Sequence, residues 1–403
     1  MLNLNEIKKA HKRLSDVVLC TPFSYAPILS EMSGYEVYLK KENLQRTGAF
    51  KLRGAYNKIA SLVEAGQKTG VITASAGNHA QGVAFSAKHF GIEATIIMPE
   101  STPLIKVQGV KAFGANAILQ GSNYDEAYAY AVTYGKENNL TFVHPFTDDA
   151  VMAGQGTVAL EMYEEIHDLD AVIIPVGGGG LVSGMSIAYK ALSPQTKIIA
   201  VQAEGANALK TSYDAKKAID SKSVRTIADG IAVRDIYEET FSHILENVDT
   251  FETVCEDEIA MAILFLLEKQ KVLVEGAGAV GVASLLNHRI DLPKDSKVGV
   301  VLSGGNIDVT MLSLIIEKGL TKSARKMKLK VLLVDKAGAL QALTEILSEI
   351  DANIVQIGYD RTSTDLKFGD AHVSVALESK GIAHQAVIRK SLKDSGYSFE
   401  ENV

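Results

Sequence analysis

Hydrophobic and polar positions change period along this chain, and the changes mark its elements. Asn5 to Leu14 spaces its apolar residues as a helix does, with Asn5 as the N-cap. Thr21-Pro22 ends that pattern, and Tyr35 to Leu39 alternates as a strand. From Phe50 onward, short β-branched runs alternate with helical stretches of about a dozen residues. Strands are expected at Val71–Thr73, Ala94–Met98 and Asn116–Leu119, with helices at Asn78–Phe90, Thr102–Phe113 and Asn123–Asn138. A second series follows. A helix is expected over Val151–His167, then a buried strand over Ala171–Val176, which is apolar at every position. A helix at Leu181–Leu192, a strand at Lys197–Gln202, helices at Asp257–Lys269 and Ala277–His288, and a strand at Val298–Leu302 complete it. Such alternation predicts α/β architecture, with helices wrapped around parallel sheets. Residues 1–320 read as two lobes, a large one of about 1–45 and 150–320 and a small one of about 46–149 inserted into it.

Beyond 320 the pattern changes. Lys318, Lys322, Arg325, Lys326, Lys328 and Lys330 form a basic stretch that reads as a solvated linker. Residues 327–403 then run strand, helix, strand, strand, helix, strand, the split βαβ unit, and read as a separate domain too small for its own active site.

Composition narrows the function classes. The chain has 403 residues, 47% of them apolar, enough for two or three domains at about 150 residues each. A net charge of −7 argues against nucleic acid or an anionic membrane as partner. Cys20 and Cys255 are far apart and match no disulfide framework, which fits a reducing compartment. Residues 1–14 lack the apolar core of a signal peptide, and no run approaches the roughly 18 apolar residues of a membrane span. A soluble, cytoplasmic protein is expected.

Three glycine-rich turns each follow an extended run: Ser75-Ala76-Gly77-Asn78-His79, Gly177-Gly178-Gly179-Gly180-Leu181, and Ser303-Gly304-Gly305-Asn306. Strand, glycines, helix presents free backbone N–H groups and a positive helix end to a phosphate. Four consecutive glycines carry a large entropic cost, so a plain turn does not explain them. The literal G-x-G-x-x-G at Gly276, Gly278 and Gly281 is a poorer candidate, because no acid ends the strand that follows. Close helix packing accounts for it. No histidine pair has zinc spacing, and there is no G-x-S-x-G elbow or Walker lysine. Lys51, by contrast, stands between Phe50 and Leu52 at a helix start. Desolvation disfavours an ammonium ion, and a neutral lysine amine can form a Schiff base. A phosphate site plus such a lysine points to pyridoxal 5′-phosphate.

At these residues the chain resembles the pyridoxal-phosphate-dependent serine/threonine dehydratases of the tryptophan-synthase-β group, fold type II. Ala49-Phe50-Lys51-Leu52-Arg53-Gly54 is similar to the family's cofactor-lysine motif, and Ser75 to Gly82 to its asparagine loop. The resemblance implies that Lys51, beside Phe50, forms the Schiff base and that Asn78 meets the ring 3′-oxygen. Gly177, Gly178, Gly179, Gly180 and Leu181 would take the phosphate and Ser303 the pyridine nitrogen, with Gly304 also binding the cofactor. The loop Ser75, Ala76, Gly77, Asn78 and His79 would hold the substrate, with Phe50 and His79 outside the bond-making steps. Residues 327–403 resemble ACT domains, amino-acid-sensing modules of ferredoxin-like βαββαβ topology. Asp335 to Leu340 is similar to their first loop, though Ala337 stands where proline is usual. An effector such as isoleucine or valine would meet Gly338, Ala339, Leu340 and Asn353.

The implied reaction is β-elimination of L-threonine to 2-oxobutanoate and ammonia, with L-serine as second substrate and Lys51 as Cα base. Whole, the chain resembles dehydratases with a single ACT domain, which act as homodimers or homotetramers. Two residues bear on the outcome. The Ser303 hydroxyl is too weak an acid to protonate the ring nitrogen, which favours prompt elimination. Ala76 occupies the place of the racemases' serine acid, which disfavours racemisation; it also fits as a small packing residue. Glu204 is present, but Lys210 stands where metal-binding relatives have a second acid, so an ammonium would replace the cation and no divalent metal is expected. Glu275 either faces the cofactor or caps its helix. A β-replacement synthase of the same fold and an inactive amino-acid sensor are the alternatives.

Overall fold

The apolar runs become interior strands of parallel sheets. The computed structural model describes residues 2–67 and 69–401. Ala171–Pro175, buried at every residue, lies inside a six-stranded sheet. Its order is Phe23–Tyr25, Glu36–Lys40, Lys297–Val301, Ala171–Pro175, Lys197–Ala203, Thr250–Val254. Only the first pair is antiparallel. A second, wholly parallel sheet has the order Asn116–Leu119, Ala94–Met98, Val71–Ala74, Thr141–Phe142. Parallel sheets need both faces covered, and helices supply the cover. Helix Gly276–Leu286 lies on the larger sheet. A Cβ on Gly281 would come within 2.8 Å of Val300, and one on Gly278 within 2.8 Å of the Gly304 carbonyl. Close packing therefore explains the G-x-G-x-x-G pattern.

Helix Lys51–Glu64 joins the two lobes. It packs on helix Asn78–Phe90 of the smaller lobe and on helix Asp149–Glu165. Near their crossing a Cβ on Gly154 would lie 2.6 Å from the Gly54 Cα. Beside this crossing sits a buried charge cluster. The Arg53 guanidinium, fully buried, donates to Glu42 Oε2 at 2.8 Å and to Glu161 Oε1 at 2.6 Å. Lys40, also fully buried, donates to Glu161 Oε2 at 2.6 Å. Burial works against the charge on Arg53, and Glu42 and Glu161 outweigh it, holding Arg53 protonated. Two exposed ion pairs also connect small-lobe helices to the segment 225–237. Lys106 meets Asp229 at 2.9 Å, and Asp125 meets Arg234 at 2.7 Å.

The chain divides into two units, the residues up to Ile307 and those from Asp308 on. The second unit contains a four-stranded antiparallel sheet in the order Asn353–Asp360, Asp370–Glu378, Lys326–Val334, Ser398–Glu401. Helices Ala339–Glu349 and Ile382–Asp394 cover one face, closing a core of Leu329, Val331, Leu343, Leu347 and Ile388.

Three expectations need correction. The first helix is Leu4–Leu14, and Asn3, not Asn5, caps it, accepting from the N–H groups of Asn5 and Glu6. The basic stretch at 318–330 is not a linker. Helix Val309–Lys322, capped by Asp308, runs into strand Lys326–Val334, and Lys326 pairs with Glu317. That helix packs on that strand, so it belongs with the second unit, and the first ends at Ile307 rather than 320. Helices Pro27–Ser33 and Glu238–Asn247 and strand Thr250–Val254 were not legible in the sequence pattern. No helix among the described residues is long and apolar enough to cross a membrane.

Removing one partner of a buried ion pair leaves an uncompensated charge. Arg53→Ala, which leaves Glu42 and Glu161 facing each other, is expected to destabilise the protein by about 3–5 kcal/mol, measured by chemical denaturation of the cofactor-free chain.

Candidate active site

All three glycine turns leave the carboxyl ends of parallel strands. Ser75–Asn78 follows Val71–Ala74, Gly177–Gly180 follows Ala171–Pro175, and Ser303–Asn306 follows Lys297–Val301. Ligands of open α/β sheets bind along that edge. Lys51 opens helix Lys51–Glu64. The residues before it are zipped to the third turn. Phe50 N–H donates to the Ser303 carbonyl at 3.1 Å, and Gly305 N–H to the Gly48 carbonyl at 2.8 Å. Gly48 takes a left-handed φ of 72° there, and a Cβ would strike the Asn306 side chain. Lys51 and Ser303 are thereby held in fixed relation.

Lys51 Nζ donates to the Pro145 carbonyl at 2.9 Å and lies 5.4 Å and 5.8 Å from the Phe50 and Phe146 ring centroids. Burial pushes its pKa down to about 8, against the opposing attraction of Glu275. Near neutral pH a share of this lysine is therefore the free amine. Phe146 also shapes the tetraglycine. A Cβ on Gly178 would come within 2.6 Å of its ring, and one on Gly180 within 2.8 Å of its Cβ. Gly179 takes a φ of 90° and offers no side chain to cap helix Gly180–Leu192. The amides at that helix start are free to meet an anion.

Asn78 is gripped at both ends of its amide. Its Nδ2 donates to Glu275 Oε1 at 2.7 Å, and its Oδ1 accepts from Asn306 Nδ2 at 2.7 Å. Ser303 is buried at the head of the third turn. Ser75 Oγ accepts from Gly77 N–H at 3.2 Å, which shapes the asparagine loop, and Ala76 packs against the small-lobe core. His79 Nε2 is 3.0 Å from the Val143 carbonyl, so the ring donates there, and Nδ1 has no partner. Burial, helped by the positive charge of Lys51, pushes its pKa down to about 3. At neutral pH His79 is an uncharged ring without a labile proton to give.

The structure thus brings Lys51, Phe50, Asn78, His79, the tetraglycine and Ser303 to one strand edge. It also adds residues that the sequence did not single out. His144, Pro145 and Phe146 follow the two-residue strand Thr141–Phe142, too short to recognise from pattern. The His144 ring accepts at Nδ1 from Thr147 N–H at 3.0 Å. Burial and Lys51 push its pKa down to about 4. Lys210 does not stand in for a cation beside Glu204. Its ammonium pairs with Asp214, one helical turn on, while Glu204 is exposed. Among the described residues, no group of three or more His, Cys, Asp or Glu could hold a metal ion.

In the second unit, Gly338 takes a left-handed φ of 85° at the start of helix Ala339–Glu349. Asn353 lies past the other end of that helix, which is about 16 Å long, and donates to Glu378 Oε2 at 2.7 Å. Within one chain, Gly338, Ala339 and Leu340 are not brought together with Asn353.

Known proteins are similar to this chain in sequence and in fold. The sequence model of the family described as pyridoxal-phosphate dependent enzyme matches residues 14–304. An L-threonine ammonia-lyase of Thermotoga maritima is 47% identical over 397 residues, 98% of each chain. The processed form of threonine deaminase isoform 2 from Solanum lycopersicum superposes with a TM-score of 0.74 at 37% identity, covering 78% of this chain and 86% of that one. Maize serine racemase superposes with a TM-score of 0.74 at 34% identity, covering 80% of this chain and 98% of that one.

The contact between Phe146 and the tetraglycine generates a direct test. Gly178→Ala drives a methyl into that ring, an overpacking cost of about 1–3 kcal/mol. Affinity for pyridoxal phosphate, followed by its absorbance on titration, is expected to fall by about 10- to 100-fold.

Proposed function

The chain belongs to the pyridoxal-phosphate dependent enzymes, and on that footing we propose that it removes ammonia from L-threonine, giving 2-oxobutanoate. L-serine is the proposed second substrate, giving pyruvate. The observation that carries the reading is a half-buried lysine, its pKa lowered to about 8, fixed to the Ser303 turn beside the glycine cradle.

The residues present fit the cofactor. The cradle admits backbone only, so a phosphate would meet N–H groups at Gly177–Leu181. The buried Ser303 hydroxyl, held in fixed relation to Lys51, would meet the ring nitrogen. Asn78 would meet the ring oxygen. Pyridoxal phosphate, when bound, supplies an electron-withdrawing conjugated ring that acidifies the Cα–H of an amino acid.

Everything else falls to the chain. As a free amine Lys51 is the nucleophile toward the cofactor aldehyde, and once released it is the base at Cα. Its hydrogen bond to the Pro145 carbonyl orients that amine. Ser303 offers a hydroxyl rather than a carboxylate, so it would hold the ring nitrogen without giving it a full proton, which would favour loss of the β-hydroxyl. Ala76 has no proton to donate, and His79 holds none to lend at neutral pH. Both features favour elimination over the racemase outcome. The Ser75–His79 loop, at the start of helix Asn78–Phe90, is the proposed seat of the substrate carboxylate. We further propose that the second unit binds an amino-acid effector such as isoleucine or valine around Gly338, Ala339, Leu340 and Asn353, in a homodimer or homotetramer.

Purified protein loaded with pyridoxal phosphate is expected to turn L-threonine into 2-oxobutanoate, and L-serine into pyruvate. Absence of product would sink the reading, and product only in the presence of an added thiol nucleophile would favour the β-replacement synthase. Lys51→Ala is expected to lower turnover by about 10³-fold or more and to abolish cofactor fixation by borohydride. Isoleucine or valine is expected to shift the threonine saturation curve of the full chain, and Asn353→Ala to blunt that shift. An unchanged response in Asn353→Ala would move the effector site elsewhere.

A further inference from the structure

The loop His144-Pro145-Phe146 touches the cleft in two places. Its Pro145 carbonyl accepts from Lys51 Nζ at 2.9 Å, and its Phe146 ring fills the space that a Cβ on Gly178 would need. No strand or helix includes these three residues, so no regular ladder aligns them. His144 Nδ1 accepts from the N–H groups of Phe146 and Thr147, at 3.3 and 3.0 Å, which curls the chain. The His144 and Phe146 rings meet edge to face, their centroids 4.7 Å apart.

A third ring reaches this pair from the large lobe. Tyr237 lies edge to face with Phe146 at 5.0 Å and with His144 at 5.4 Å. It holds the N-cap place of helix Glu238–Asn247 yet gives that helix no side-chain cap. Ser, Thr, Asp or Asn would serve the helix better there. The same helix backs the cofactor cradle. A Cβ on Gly179 would come within 2.9 Å of Thr240, whose hydroxyl donates to the Tyr237 carbonyl at 3.2 Å. The Tyr237 ring is thus anchored on the helix that supports the tetraglycine. Edge-to-face pairs are directional, so two of them fix where the loop lies as well as covering it.

We propose that Tyr237 is a positioning residue whose ring clamps the His144–Phe146 loop and so sets two things together: the Lys51 amine, through the Pro145 carbonyl, and the phosphate seat, through Phe146. This rests on the reading of the cleft as a pyridoxal phosphate site. Tyr237 acts through the loop and not on the reacting atoms. Its hydroxyl supplies no acid–base chemistry near neutral pH, because burial first, and then Tyr128 and Asp235, push its pKa up to about 12. A ring that only filled space between the lobes would affect stability when removed. A clamp affects the amine and the seat at once, because one loop carries both contacts.

The two arms are read separately on the full chain stripped of cofactor. Pyridoxine 5′-phosphate has no aldehyde, so its dissociation constant reads the seat alone. The rate at which saturating pyridoxal phosphate becomes fixable by borohydride reads the Lys51 amine. Tyr237→Ala is expected to weaken the first and slow the second, each by about 10-fold or more. Tyr237→Phe keeps the ring and is expected to restore both to within about twofold of the wild type. Both quantities unmoved in Tyr237→Ala overturn the proposal, whatever its stability. So does a change in one of them alone, or a Tyr237→Phe as impaired as Tyr237→Ala, which would assign the effect to the hydroxyl. Should Tyr237→Ala not fold, Tyr237→Leu keeps apolar bulk without a flat edge. It is expected to show the same two losses, and a Tyr237→Leu equal to the wild type overturns the proposal. A wild-type chain that captures no pyridoxal phosphate would instead sink the function proposed above, so the two failures are distinguishable.

Discussion

The fully buried Arg53 guanidinium holds the helix start that carries Lys51 in place. Arg53 stands two residues after Lys51 on the same helix, and its planar fork grips Glu42 from one side and Glu161 from the other. An apolar residue in that space would pack without fixing the rotation of the helix about its axis. A bidentate guanidinium does fix it, because its hydrogen bonds are directional and it cannot give up its charge. Lys40 balances the second carboxylate, so the cluster carries no net charge inside the protein. Its desolvation is worth bearing only if it holds something in place, and what it holds is the helix start that carries Lys51.

From that fixed point the site assembles by backbone contacts rather than side-chain ones. The residues before Lys51 are laced to the Ser303 turn, and the tetraglycine is pressed on Phe146. Side chains enter only at the end, with Lys51 on the Pro145 carbonyl and Asn78 held between Glu275 and Asn306. The tetraglycine tolerates little change, because a Cβ on any of Gly177, Gly178, Gly179 or Gly180 would come within 3.0 Å of another residue.

Much of this was legible in the sequence. Glycine runs after β-branched runs are costly and therefore informative, and they located all three turns. The alternation in residues 327–403 located the second sheet. What stayed hidden was long-range. Glu42, Arg53 and Glu161 each look like a solvated charge, and their meeting needs segments 108 positions apart. Glu275 stood open between capping and facing the cofactor, and only its bond to Asn78, 197 positions away, decides against the cap. The basic stretch misled because its lysines were read without the helix beneath them, where Ile315 is buried and Asp308 supplies the cap.

The two ion pairs that connect the small-lobe helices to the segment 225–237 differ in kind from the Arg53 cluster. Lys106–Asp229 and Asp125–Arg234 both reach solvent, where salt weakens such pairs and each contributes little. Evolution can adjust the grip of one lobe on the other by exchanging surface charges alone. Turnover limited by opening of the cleft would then track the salinity of the cell, while the chemistry inside stays constant.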